Sequence, residues 1–510
     1  MARKTAMGRK TARGASLALS SHDRPGARCP TTGVQRAAAP SRKFVLTSAL
    51  ALSLGLAGCA GEPTARGPAP VAQSPTASAG PAPPRAAEAT PSRERGTRAA
   101  SAAQTVRVAA ITDAILALKQ VVDDDPENFA VQNMLSGYYL KLVRETGDHA
   151  FQARAAKAAR ASLKALPVQV NPGGGAALAQ AEAASHNFAA ARDHGRRLVK
   201  IAPDQGYPYE ILGDALLELG DYSGAADAYW PALRRVGAST SIASRLGRLA
   251  FLNGNTDTAE SFLTQSLTLA REGGPTAAEA VAFSHWQLGD AAFSTGNYKT
   301  AERRYRRALA AVADYLPALA ALGRVRAARG DLAAAIATYE RVNEIDPMPV
   351  FVGALGDLYK LAGRRPEAAA QYAKILKTKP NALDARLDNR QLVMFYADRD
   401  LRRAEAYRLA RREYRLRRDI YGADALAWAA FKAGKVGEAQ AASDEALRLG
   451  TQDASLLYHA GMIARAAGKR RTARAYLKRA LTLNPQFDPL QAKNARQALT
   501  TVRSGSTPGG

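Results

Sequence analysis

The chain holds few groups suited to covalent chemistry. Its 510 residues include six histidines and two cysteines. No H-E-x-x-H, G-x-S-x-G or G-x-x-x-x-G-K-[ST] run occurs, and no cysteine pair has zinc spacing. Zinc hydrolysis, serine acylation and nucleotide binding need those arrangements, so no enzyme activity, metal or cofactor is expected. His186 and His194 would share a helix face only without a turn between them, and Asn187-Phe188 reads as a turn. Asp123, Asp124 and Asp125 stand together before Pro126, whereas a calcium loop spreads its ligands over about twelve residues. Gly173-Gly174-Gly175 lacks the Lys-Ser/Thr of a phosphate loop and reads as a linker. No two carboxylates stand out as an acid and base. What remains is the thiol of Cys59, directly after Leu56-Ala57-Gly58.

The context of Cys59 is informative. Arg42 and Lys43 precede an uncharged, mainly apolar run from Phe44 to Leu56. A basic start, a short apolar segment and small residues make a secretory signal. The run is too short to prefer a membrane span. The Leu-Ala-Gly-Cys ending resembles a bacterial lipobox. That resemblance implies cleavage before Cys59, acylation of its thiol, and an extracytoplasmic protein anchored to the cell membrane by lipid. Residues 1–58 are then leader and signal peptide. Cys29 lies in the leader, so the mature chain would have no disulfide. Residues 59–104, rich in Pro, Ala, Ser, Thr and Gly, cannot bury a core and read as a disordered tether.

Formal net charge is +26, and the chain stays basic without its leader. The densest stretch is 399–418, with Arg402, Arg403, Arg408, Arg411, Arg412, Arg415, Arg417 and Arg418 as candidate polyanion ligands. Smaller clusters are Arg303, Arg304, Arg306 and Arg307, and Lys469, Arg470, Arg471 and Arg474. Outside a membrane, such charge would meet acidic wall polymers or anionic lipid. Nucleic acid is not expected as a partner of an exported chain. Asp400, Glu405, Glu413 and Asp419 also allow a plain solvated face.

The scaffold for these groups is a repeat of about 34 residues. "LGDALLELGDYSGAADAYWPAL" (212–233) returns as "LGDAAFSTGNYKTAERRYRRAL" (288–309) and "LGDLYKLAGRRPEAAAQYAKI" (355–375). A small residue recurs at Gly213, Gly247, Gly289, Gly323, Gly356 and Gly461. A second recurs at Ala225, Ala259, Ala301, Ala335, Ala368 and Ala473. Tyr229, Tyr305, Tyr339 and Tyr372 read as seam fillers, and Pro347, Pro380 and Pro485 as stops. This pattern resembles the tetratricopeptide repeat family. The resemblance implies an all-α fold, an α-α superhelix (solenoid) of antiparallel helix pairs, over 105–485. A capping helix at 486–500 and a disordered tail at 501–510 complete the expected plan. The unit at 386–418 is weaker, because Leu392 stands where Gly is expected. "GGPTAAEA" (273–280) reads as an insertion between units.

In that family, first-helix residues three before the Gly, one after and four after line the concave face. Carried over, they are Glu210, Asp214 and Leu217; Trp286, Asp290 and Phe293; and Tyr458, Met462 and Arg465. The unit with Ala427 for Gly adds Asp424, Trp428 and Phe431. Aromatic anchors among charges suit an extended peptide or a helix. The basic clamp that some relatives use for acidic C-terminal peptides is not matched, since its positions hold Glu210, Asp214, Trp286 and Asp290. The expectation is a non-catalytic protein- or peptide-binding scaffold. The alternatives are a polyanion binder through the 399–418 arginines and a regulatory subunit of an envelope enzyme complex.

Overall fold

The computed structural model describes residues 91–377 and 389–504, and every regular element there is helical. The fold is all-α. Helix α1 (Pro91–Asp124) leads into ten helix pairs. The first five are α2 (Phe129–Thr146) with α3 (Ala150–Ala165), α4 (Pro172–Ala184) with α5 (Phe188–Ile201), α6 (Tyr207–Leu219) with α7 (Tyr222–Val236), α8 (Thr240–Leu252) with α9 (Thr256–Glu272), and α10 (Ala278–Ser294) with α11 (Tyr298–Ala311). The next are α12 (Leu316–Ala328) with α13 (Leu332–Ile345), and α14 (Pro349–Leu361) with α15 (Arg365–Lys377). Then come α16 (Asn389–Asp398) with α17 (Arg403–Leu416), α18 (Ile420–Lys432) with α19 (Val436–Ala446), and α20 (Ala454–Ala466) with α21 (Arg470–Leu483). Helix α22 (Gln491–Ser504) covers the end.

The third pair shows why this sequence folds so. Gly220 ends α6 in the left-handed conformation, and the Asp221 side chain caps α7 by accepting the Gly224 N–H at 2.9 Å. At the crossing, a Cβ on Gly213 would overlap the Tyr229 ring. Tyr229 lies flat there and donates its hydroxyl to Asp214 at 2.8 Å. The same device recurs with Gly289, Tyr305 and Asp290 at 2.6 Å, and with Gly356, Tyr372 and Asp357 at 2.6 Å.

The doubtful unit at 386–418 is a full pair, α16 and α17. Its turn is one residue longer, with Asp400 and Arg402 both at positive φ. That shifts the register: Ala406 is buried at the crossing, whereas Ala404 is exposed. The large and small partners are also exchanged. Val393 takes the place of the glycine and Ala410 that of the tyrosine, both fully buried in one core.

Other boundaries move for local reasons. Helix α1 starts at Pro91, inside the expected tether. Residues 91–104 are rich in Ala and Arg, good helix formers behind a Pro at the first position. The three glycines expected as a linker form the first turn of α4, capped by buried Asn171. A Cβ on Gly175 would sit 2.7 Å from the Val168 side chain, so packing excludes a larger residue. The insertion becomes a 3-10 turn at Gly274–Ala277. Helix α22 runs to Ser504, past the expected end of the cap. The lipobox and residues 59–90 of the tether lie outside the described residues.

The superhelix is wound tightly enough for successive turns to touch. The turn inside the third pair meets the loop after the eighth: the Ile420 N–H donates to Tyr222 Oη at 2.9 Å, 198 residues away. Arg417 pairs with Glu218 and stacks on Phe188 at 4.7 Å. The fourth pair meets the loop after the ninth, where buried Thr451 bonds the Leu252 carbonyl. The fifth meets the loop after the tenth, where buried Asn484 donates to the Phe293 carbonyl at 2.7 Å. Ile420 and Leu456 join the apolar core of Tyr222 and Leu252 across this seam. One superhelical turn therefore takes between five and six pairs.

Candidate functional site

The first helix of each pair faces the inside of the coil, and its charged side chains are cross-linked. Each Asp that receives a Tyr hydroxyl also takes an Arg from the next unit. Arg245 grips Asp214 through two bonds of 2.7 Å and reaches Glu210 at 3.1 Å. Arg324 pairs with Asp290 at 2.6 Å and lies 4.3 Å from the Phe293 ring. Arg399 pairs with Asp357 and covers Phe395 at 4.5 Å. These planar, forked cations fix adjacent units to each other. Arg245, with 6% of its side chain exposed, would be left buried and unpaired without its acids.

Between the second and fifth pairs this inner face opens into a cavity of about 510 Å³. Its apolar walls include Phe188, Ile211, Phe283 and Trp286, and its polar groups include Asp214, Glu218, Arg245, Arg248 and Gln287. Burial alone would raise the Glu218 carboxyl. Arg248 and Arg417 outweigh it and hold the pKa down to about 2, so the group is ionised. Gln287 accepts the Ser244 hydroxyl at 2.8 Å. The acids and arginines neutralise one another, which leaves an apolar slot with a fixed polar rim.

The structure sorts the expected groove residues. Asp214 and half-buried Trp286 line the cavity, Trp286 tilted on Phe283 at 5.5 Å. Glu210 flanks it, held by Arg245 and the Ser241 hydroxyl. Asp290 stands further along the same face. Leu217 and Phe293 are buried in the core and present nothing to a ligand. In the ninth and tenth pairs, Asp424, Trp428 and Tyr458 are buried too. Trp428 is 2% exposed, donates its indole N–H to Asp398 at 2.8 Å and stacks on His459 at 4.3 Å. Phe431 and Met462 pack beside it, and Arg465 is half-buried. The tight winding brings first helices together on the inside, so large residues expected in an open groove fill the space between neighbours. Burial works against charge on His459, but Asp424 at 2.9 Å outweighs it and raises the pKa.

The arginine cluster at 399–418 is also divided. Arg417 is committed to the seam, and Arg402 bonds the Leu376 carbonyl and Tyr396. Arg403 pairs with Asp400 at 3.3 Å and Arg411 with Glu438 at 3.9 Å. The exposed cations of this cluster that have no ion pair among the described residues are Arg408, Arg412, Arg415 and Arg418. Sequence reasoning missed Arg245, Arg248, Arg324 and Phe188. Among the described residues, no group of His, Cys, Asp and Glu is placed to hold a metal ion, and no helix is long and apolar enough to cross a membrane.

Models of the tetratricopeptide repeat match residues 239–314, 292–358 and 454–487. The chain carries tetratricopeptide repeats in these places, and such repeats mark a protein-interaction scaffold. Similar solved structures include a thermophilic TPR protein of Thermus thermophilus. It is 25% identical over 34% of this chain and 92% of its own, with a TM-score of 0.28. A human IFIT1 dimer with m7Gppp-AAAA is 18% identical over 70% and 71%, with a TM-score of 0.34. A tetratricopeptide repeat protein from Parabacteroides merdae is 17% identical over 52% and 98%, with a TM-score of 0.28. No curated protein matches the chain.

Proposed function

We propose that this chain is a non-catalytic scaffold that binds a protein segment in its inner groove, anchored outside a bacterial membrane through Cys59. The observation that carries the binding reading is the cavity beside Trp286. Its volume and its apolar wall with a few fixed polar groups suit a bulky apolar side chain of an extended peptide. The charged rim, already neutral within itself, favours an anchor residue over a charged tail.

The test is a fluorescent peptide selected from a random library on the full chain. Trp286→Ala is expected to weaken it at least tenfold while the chain stays folded, with a melting temperature only modestly lowered because the ring that packs on Phe283 is half-buried. Equal binding by both chains would defeat the groove reading. The anchor is tested separately. Cys59→Ser is expected to move the protein from the detergent phase to the aqueous phase in a detergent partition of the native membrane. A variant that stays in the detergent phase would show that Cys59 carries no lipid.

A further inference from the structure

The seam joins two strongly basic outer helices, one from each superhelical turn. Helix α21 carries five Lys or Arg residues and no acid. Helix α11 carries five against the single Glu302. They are far apart in sequence, yet the end of one meets the start of the other. Tyr298, the first residue of α11, donates its hydroxyl to Asn484 at 2.5 Å, and the Gln486 N–H donates to Tyr298 Oη at 3.0 Å. Arg496 adds a cation at this junction, bonding the Pro485 carbonyl at 2.8 Å.

The cations occupy matching positions on the two helices. Counted from Gly289 and Gly461, Arg306 and Arg307 are the repeat equivalents of Lys478 and Arg479, and all four are exposed. Among the described residues, none of the five cations of α21 has a carboxylate partner. On α11, Arg306 pairs with Glu302 at 2.6 Å, an acid it shares with Arg329. Burial, and after it the neighbouring Arg307, lowers the Arg304 guanidinium pKa. The adjoining outer helices are of opposite character: α19 carries three acids and no base, and α9 three acids against Arg271. Thr451 and Leu252 join that acidic pair across the same seam. The basic surface is therefore a strip with acidic ground along one side.

Each helix of 14 residues is about 21 Å long, and the two meet end to start, so the cationic track is longer than either helix alone. Like charges gathered without counter-ions repel one another, and a polyanion that replaces their diffuse counter-ions binds with a gain in entropy. A narrow track fits a linear polymer, whereas a flat membrane would also meet the acidic helices. We propose that α21 and α11 together form a ridge that binds a linear phosphate polymer along its length. This site is separate from the inner groove and from the cations of α17.

The experiment is fluorescence anisotropy with the full chain at about 50 mM salt, where phosphate contacts are strong, using labelled long-chain inorganic polyphosphate and, in a second arm, a single-stranded oligonucleotide. The two arms distinguish a polyphosphate from a phosphodiester as the source of the charge. Binding of at least one is expected, and it should fall steeply as salt rises. Arg303→Glu with Arg307→Glu, and separately Arg474→Glu with Lys478→Glu, should each weaken it at least tenfold. Tripolyphosphate, too short to reach both helices, should bind at least a hundredfold more weakly than the polymer. Arg408→Glu with Arg412→Glu should leave affinity within twofold. All these side chains are exposed, and a circular dichroism melt checks that each variant is folded. The proposal is overturned if neither polymer binds, if the α17 pair does the damage, or if vesicles of phosphatidylglycerol outcompete the polymers at equal phosphate.

Discussion

A Gly220→Ala chain will unfold at clearly lower urea than a Gly330→Ala chain, although both place alanine at the same left-handed helix end. The two glycines have φ of 85° and 84° and occupy equivalent turns. Alanine in that conformation costs about 1–2 kcal/mol at either site. The difference lies in what surrounds them. Apart from chain neighbours, and among the described residues, no heavy atom lies within 4 Å of a Cβ built on Gly330. A Cβ on Gly220 would overlap the Arg418 carbonyl from the next superhelical turn. Forcing a methyl group into packed surroundings adds about 1–3 kcal/mol. The strain also falls where Arg417 meets Glu218 and where Arg448 donates to the Gly220 carbonyl at 3.2 Å. Gly220→Ala should therefore also raise the radius of gyration in X-ray scattering, with Gly330→Ala as the matched control. Equal urea midpoints and equal radii would mean that the seam contributes nothing to stability.

Trp428→Ala should be the most damaging single change in the C-terminal half. Truncating a fully packed Trp typically costs about 3–5 kcal/mol. Here the ring also supports three neighbours. Tyr458 lies 5.7 Å away, His459 is stacked on one face, and the Lys432 ammonium sits 4.7 Å from the ring. Asp398 would keep the Gln491 amide at 2.6 Å but lose the indole donor. Trp428→Phe separates the two effects, since it keeps an aromatic ring and removes the bond to Asp398, a loss of roughly 1 kcal/mol. Hydrogen exchange should show α18 and α20 opening first in the alanine variant, with α6 and α8 little changed. If Trp428→Ala melted within a degree of the parent and lost peptide binding instead, this ring would be a ligand contact after all.

The repeat was legible because one contact recurs at one register. Gly213 against Tyr229 and Gly289 against Tyr305 are the same event, so their spacing repeats in the sequence. The exchanged pair Val393 and Ala410 solves the same packing problem with sizes reversed, and a search for small residues on the first helix passes over it. The cross-linking arginines hold no common register. Arg245 lies two residues before its glycine, Arg324 one after, and Arg399 in the unit that has no glycine there. Trp286 stands three residues before Gly289, and Trp428 one after Ala427. Both positions belong to the expected concave face, yet one ring lines a cavity and the other is enclosed. That outcome depends on curvature, which accumulates from small rotations between units and leaves no local mark in the sequence.

The seam also changes how the chain must assemble. A repeat array whose contacts are all between neighbours can nucleate anywhere and grow outward. Here Tyr222 waits for Ile420 and Glu218 for Arg417, partners 198 and 199 residues further on. At a synthesis rate of about 5–20 residues per second, that interval is about 10–40 s. During it the third to fifth pairs exist with one edge unmatched, and the closing of the coil is a late, non-local event whose speed is set by topology more than by helix formation. The array thus begins life as a local structure and finishes as a cooperative one.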